Sequence, residues 1–106
     1  MKNYNFKQFI DSIEDLSFGE MFERAQERYA ELDREVLYRP KKQPRNYAAE
    51  ELKGQVHRFL FWMHTLKRAA DFADEDWALV ERVCRALVKK KRLKPSALKA
   101  FKTRAS

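Results

Sequence analysis

The amino-acid sequence predicts an all-α protein, a compact bundle of four to five mostly antiparallel helices. Apolar side chains recur at the three- and four-residue spacing of a helix face along most of the 106 residues. With only two Gly and three Pro, the chain has little of the turn chemistry that an all-β protein needs. Its length suits one hydrophobic core. We therefore expect a single helical domain over residues 1–106.

Helix-start signals separate the predicted elements. Ser17 and Glu20 have the spacing of a capping box, in which each side chain accepts a hydrogen bond from the other residue's amide. Asn46 is suited to cap the third helix, and Pro95 suits the first turn of the last. The short connection over residues 39–46 favours antiparallel packing of its flanking helices. The expected helices cover residues 5–15, 18–38, 47–73, 75–91 and 95–102.

Positive charge is concentrated in two segments, although the whole chain carries +7. Residues 39–46 contain four Lys and Arg without any Asp or Glu, and residues 82–106 contain ten, again without an acid. Residues 1–38 and 47–81 are both net acidic. An asymmetry of this kind bears on partners and not on the fold. The body is therefore expected to be acidic, with a basic loop and a basic C-terminal segment, residues 92–106, part of it flexible.

Dense Lys and Arg favour a polyanion, because each phosphate contact releases condensed counterions. We therefore expect a non-enzymatic protein that binds DNA, RNA or a nucleoprotein complex through phosphate contacts. Leu93, Leu98 and Phe101 would let the basic segment dock on the bundle, whereas the alternative is a frayed, solvated tail. The expected contacting residues are Arg39, Lys41, Lys42, Arg45, Arg85, Lys89, Lys90, Lys91, Arg92 and Lys94.

The third helix has a second face, about 180° from its main apolar stripe. His57, Phe61, His64 and Arg68 share one ridge there at spacings of four, three and four residues. Gly54 lies beside the ridge and would let another backbone approach. Three interpretations stay open: the first helix packs on this face, the face binds a partner protein or a second copy of the chain, or Phe61 stacks on a base. A protein-interaction or regulatory module, with an acidic protein surface as partner and a homodimer as one form, is thus the alternative function.

Arg58 and His64 are separated by five residues, which resembles the active-site motif of the HEPN family of helical ribonucleases. That resemblance implies RNA cleavage at a dimer interface. The residue after the arginine, usually polar in the family, is here the apolar Phe59. We expect no enzymatic activity from the sequence.

No cofactor or metal site is expected. His57 and His64 would lie about 10 Å apart along one helix, too far to share a metal ion. The single cysteine, Cys84, falls on an apolar stripe and suits the core. The sequence also lacks an apolar run of membrane-spanning length and a secretion signal at its N-terminus, so we expect a cytoplasmic protein with no membrane partner.

Overall fold

A computed structural model describes residues 4–38, 45–65, 72–98 and 101 of the chain. The predicted all-α bundle is confirmed for these residues. None of their helices carries an apolar stretch long enough to cross a bilayer. The described elements are α1 (Phe6–Ile13), α2 (Phe18–Leu37), α3 (Tyr47–Thr65), α4 (Asp74–Lys89) and a 3-10 helix (Pro95–Leu98).

Side-chain caps fix where the first three helices begin. The Asn5 carboxamide oxygen accepts from the Gln8 amide at 3.1 Å, and that of Asn46 accepts from the Ala49 amide at 3.1 Å, as predicted for Asn46. At α2 the Glu20 amide donates to the Ser17 hydroxyl, the expected half of a capping box. The Glu20 carboxylate accepts from the Ser17 hydroxyl at 2.8 Å, where we expected it at the Ser17 amide. Each cap satisfies a backbone N–H that the first helical turn leaves unpaired.

One predicted helix end is wrong. We expected the third helix to continue to residue 73, but Phe72 lies in a bend and Ala73 is the N-cap residue of α4. Phe72 is buried, and the three acids of residues 74–76 suit a helix N-terminus, so the chain begins a new helix there. The last helix, expected over 95–102, begins as a 3-10 helix over Pro95–Leu98, and Phe101 is α-helical. Residues 66–71 and 99–100 lie outside the described part.

The antiparallel arrangement of α2 and α3 is confirmed by two side-chain pairs. The Lys53 ammonium lies 2.7 Å from the Asp33 carboxylate, and the rings of Tyr29 and His57 lie with centroids 5.8 Å apart. From the first pair to the second, the residue number on α3 rises by four and the residue number on α2 falls by four, as antiparallel helices require. The two helices thus form a long hairpin, with more contact between them than between any other two described elements.

The short helix α1 packs back along α2. The Tyr4 hydroxyl, just before α1, donates to Glu35 near the end of α2 at 2.9 Å. A turn of a few residues joins the other ends of the two helices. The C-terminal end of α1 therefore lies beside the N-terminal end of α2, at the end of the bundle far from the α2–α3 connection.

Helix α4 runs beside α1 in the same direction. Phe6, in the first turn of α1, lines one cavity with Leu79 of α4. Further along, the Arg82 guanidinium lies 3.0 Å from the carboxylate of Glu14, the C-cap residue of α1. The C-terminal end of α4 is thereby brought to the same end of the bundle as Glu14.

Aromatic rings dominate the core. Phe59 of α3 is fully buried and meets the rings of Phe6 and Phe9 of α1 edge-on, at centroid distances of 6.5 and 6.1 Å. Trp62, which the predicted stripe omitted, is also fully buried. Burying a side chain of this size contributes roughly 1.5–3 kcal/mol. Helix α1 is thus held on the Phe59 side of α3, and the interpretation that it packs on the Phe61 face is wrong.

Candidate nucleic-acid interface

The basic segment begins with a tight turn at the C-terminal end of α4. The Lys91 amide donates to the Val88 carbonyl at 3.0 Å, and the Arg92 amide donates to the Leu87 carbonyl at 2.8 Å. These two hydrogen bonds are those of a Schellman motif, which ends a helix by turning one residue into the left-handed conformation. We call residues 89–94 the basic turn.

Lys91 is the left-handed residue of this motif, with a φ of 61°. Glycine is the usual residue there, because any side chain brings its Cβ too close to the carbonyl oxygen. For an L-residue the left-handed conformation costs roughly 1–2 kcal/mol. The fold therefore tolerates strain at a position that presents a positive charge.

All five cations of the basic turn are exposed. The Lys90 ammonium donates to the backbone carbonyl of Glu14 at 3.3 Å. In the part of the chain that the structure describes, none of the five forms an ion pair with a carboxylate. They are Lys89, Lys90, Lys91, Arg92 and Lys94.

The basic turn is anchored on its C-terminal side. Leu93 and Leu98 are half-buried against the core. Phe101 is buried, and its ring meets Trp62 and Trp77 edge-on at centroid distances of 5.6 and 5.4 Å. The frayed-tail alternative is therefore wrong as far as Phe101, and residues 102–106 lie outside the described part.

The two arginines of α4 differ from the basic turn. Arg82 bridges the carboxylates of Asp11 and Glu14 on α1, and Arg85 lies 2.7 Å from Glu81 one helical turn earlier. A hydrogen bond from Lys7, followed by one from Arg82, holds the pKa of Asp11 below its ordinary value. The sequence shows no acid after residue 81, but the fold supplies carboxylates to both arginines. Among the described cations of residues 82–98, those without a carboxylate partner are the five of the basic turn.

At the other basic segment, Arg45 is the one predicted contact residue that the structure describes. Its guanidinium lies 2.7 Å from the Glu50 carboxylate and 5.0 Å from the centre of the Tyr47 ring. The hydrogen bond to Glu50 raises the pKa of Arg45. Arg39, Lys41 and Lys42 lie outside the described residues.

Arg45 and the basic turn lie at opposite ends of α2. Lys90 contacts Glu14, just before α2 begins, whereas Arg45 contacts Glu50 in the first turn of α3, beside the end of α2. The 20 residues of α2 span about 30 Å at 1.5 Å per residue. The two positions are therefore separate along the bundle.

The predicted second face of α3 is exposed at its three described positions. Phe61 is 46% exposed, and His57 and His64 are also exposed. Arg68 lies outside the described residues. We expected another backbone to approach Gly54 closely. Among the described residues the nearest neighbour of an added Cβ would instead be the Arg58 guanidinium, at 3.6 Å.

The pair that resembles the ribonuclease motif does not meet on one surface. Arg58 is half-buried against α2, whereas His64 is exposed. The two lie six residues apart on α3, which separates their directions by about 120° around the helix axis. No group of three or more His, Cys, Asp and Glu side chains among the described residues is placed to hold a metal ion.

No protein-family model matches the chain, and comparison with curated proteins and with solved structures finds no significant match.

Proposed function

We propose that the protein is a non-enzymatic, cytoplasmic nucleic-acid-binding protein that contacts the phosphates of DNA or RNA through the basic turn. The observation that supports this most is Lys91, a lysine held in a left-handed conformation among four further exposed cations. Strained backbone positions cluster at functional sites, and their strain has to be offset by the rest of the fold. A glycine would fit the turn better but would remove the charge.

The chemistry supports low sequence specificity. Five cations on one turn can contact several phosphates, and for duplex DNA each contact contributes about −0.9 to the slope of log affinity against log salt. Contacts to phosphate position a protein without reading the bases. We therefore expect a slope between about −3 and −5 and similar affinities for unrelated sequences.

The test is a fluorescence-anisotropy titration of a labelled DNA duplex and a labelled single-stranded RNA at several salt concentrations. We compare Lys89→Gln/Arg92→Gln with Arg24→Gln/Arg34→Gln, which removes the same charge from exposed positions of α2. The first variant should lose about two units of salt slope, and the second should stay close to wild type. Absence of binding at low salt, binding without a slope, or equal losses in both variants would contradict the proposal.

A second candidate function is a protein-interaction module, favoured by the exposed Phe61 between His57 and His64. A large apolar side chain with polar neighbours is common at contact surfaces. Its homodimeric form is tested by light scattering on the wild type and on Phe61→Glu. A wild-type dimer that the substitution dissociates supports it, whereas two monomers of equal stability rule out the homodimer.

A further inference from the structure

A groove runs between α2 and α3 on the side of the hairpin away from the core. Its volume is about 350 Å³, near the lower end of the range for small-molecule sites. The residues that line it are Tyr29 and Val36 on its α2 side and Glu50, Lys53, Gly54, His57 and Arg58 on its α3 side. It shares no residue with the basic turn.

Arg58 lies folded back along α3 into this groove. Its terminal nitrogen Nη1 lies 3.6 Å from where a Cβ of Gly54 would be, which places the guanidinium over the helix at Gly54. Its Nε is buried and has no hydrogen-bond partner among the described residues. A buried donor without an acceptor costs free energy, and most such groups in native proteins are satisfied.

The other charged residues that line the groove, Lys53 and Glu50, already have partners of opposite charge. Lys53 lies 2.7 Å from Asp33, which raises the pKa of Lys53, and Arg45 lies 2.7 Å from Glu50. The described residues provide Arg58 with no ion pair. The local charge therefore has one positive excess, at the guanidinium.

Two aromatic rings line the groove with this charge, Tyr29 on α2 and His57 on α3. The Tyr29 and His57 rings lie 5.8 Å apart between centroids, and the Lys53 ammonium lies 5.7 Å from the centre of the Tyr29 ring. Aromatic rings beside a guanidinium can contact the apolar or planar part of a ligand, while the guanidinium binds the acidic group of the same ligand. A guanidinium binds two oxygens of a phosphate or carboxylate at once, which an ammonium cannot do with the same geometry.

We propose that the α2–α3 groove binds a small organic oxyanion, a phosphate or carboxylate group on a body of a few heavy atoms, through the Arg58 guanidinium. The ligand oxygens accept from the Nη groups of the guanidinium, and the body lies against Tyr29 and His57. This site is independent of nucleic-acid binding at the basic turn, so either proposal can fail without the other.

The experiment is an NMR titration of the ¹⁵N-labelled protein with inorganic phosphate, and separately with acetate, at constant ionic strength. The Arg58 Nε–Hε signal and the Gly54 amide report on the site, and only one other glycine occurs in the chain. We expect saturable shifts of both signals with a Kd of about 1–10 mM for these minimal ligands. The phosphate and acetate series show which acid group is preferred.

Arg58→Gln should abolish the Gly54 shift, whereas Arg34→Gln, an exposed arginine of α2, should leave it unchanged. No saturable shift with either ion, a shift that chloride reproduces, or an unchanged Gly54 shift in Arg58→Gln would overturn the proposal. If Arg58→Gln fails to fold, the wild-type Nε–Hε titration still decides, because it is read on the native protein.

Discussion

The ring of Phe101 packs edge-on against Trp62, with ring centroids 5.6 Å apart, and so joins the C-terminal segment to the last turn of α3. Both side chains are buried. Edge-to-face aromatic pairs add about 0.5–1.5 kcal/mol beyond the burial of their surface. Because the basic turn lies between α4 and this contact, it is held at both ends and presents its charges on an ordered backbone.

Phe101→Ala should destabilise the fold by about 3–5 kcal/mol, since it removes a large buried ring and leaves a cavity between two tryptophans. The free energy of unfolding, measured by urea denaturation, checks this value. Leu37→Ala is the control, because Leu37 is 63% exposed and its change should be small. Equal effects of the two substitutions would mean that the segment after Pro95 does not dock.

Gln55→Met should cost about 1–3 kcal/mol, because it removes the donor to a buried carboxylate. The Gln55 amide lies 3.0 and 3.2 Å from the two oxygens of Asp76, which is 5% exposed. A double-mutant cycle with Asp76→Ala should show a coupling of similar size. Gln26→Met, at an exposed position, is the matched control. If the changes in the free energy of unfolding caused by the single substitutions at 55 and 76 add up to that of the double variant, the coupling is contradicted.

Lys91→Gly separates stability from binding. Glycine relieves the left-handed conformation but makes the unfolded chain more flexible, so the free energy of unfolding should stay equal or rise by up to about 1 kcal/mol. The salt slope of nucleic-acid binding should fall by about one unit.

Lys91→Gln provides the comparison, since it loses the charge and keeps the strain. Its binding should fall as in Lys91→Gly, without the gain in stability. A clear loss of stability in Lys91→Gly, or full retention of binding by both variants, would show that the turn has another role.

Cys84 should be unreactive in the native protein. Burial raises the pKa of its thiol to about 11, so the thiolate is scarce at neutral pH. Folding favours the neutral thiol. The contribution of this thiol to the free energy of unfolding is therefore complete below the unfolded-state pKa and is lost as the pH rises towards 11. Labelling with a thiol-reactive disulfide should be slow at pH 8 and fast in guanidinium; fast native labelling would contradict the burial.

Helical periodicity was enough to locate every described helix, because each one buries a single face in the common core. The same reasoning misplaced the end of α3. An apolar residue such as Phe72 continues the pattern whether it lies on the helix or enters the core from a bend. The pattern records burial and does not record where the chain reverses.

The candidate site was predictable only as a stretch of charge. The carboxylates of Asp11 and Glu14, which pair with Arg82, are about 70 residues away in sequence, so their pairing depends on the fold. The left-handed Lys91 has no local signal, because the glycine that usually marks such a turn is absent. The groove at Arg58 had one clue, a glycine one helical turn before an arginine, which we had interpreted as a contact for another backbone.

For the proposed nucleic-acid binding, the position of the basic turn at one end of an acidic bundle limits how many molecules fit along a duplex. The bundle measures 49 × 30 × 22 Å, and its net acidic α1–α2 region disfavours lying flat along a phosphate backbone. A molecule that stands on its basic turn covers only its 30 × 22 Å cross-section. At 3.4 Å per base pair this is a footprint of about six to nine base pairs. Saturation of a long duplex, followed by sedimentation, should reach that stoichiometry, whereas a molecule lying lengthwise would occupy about fourteen.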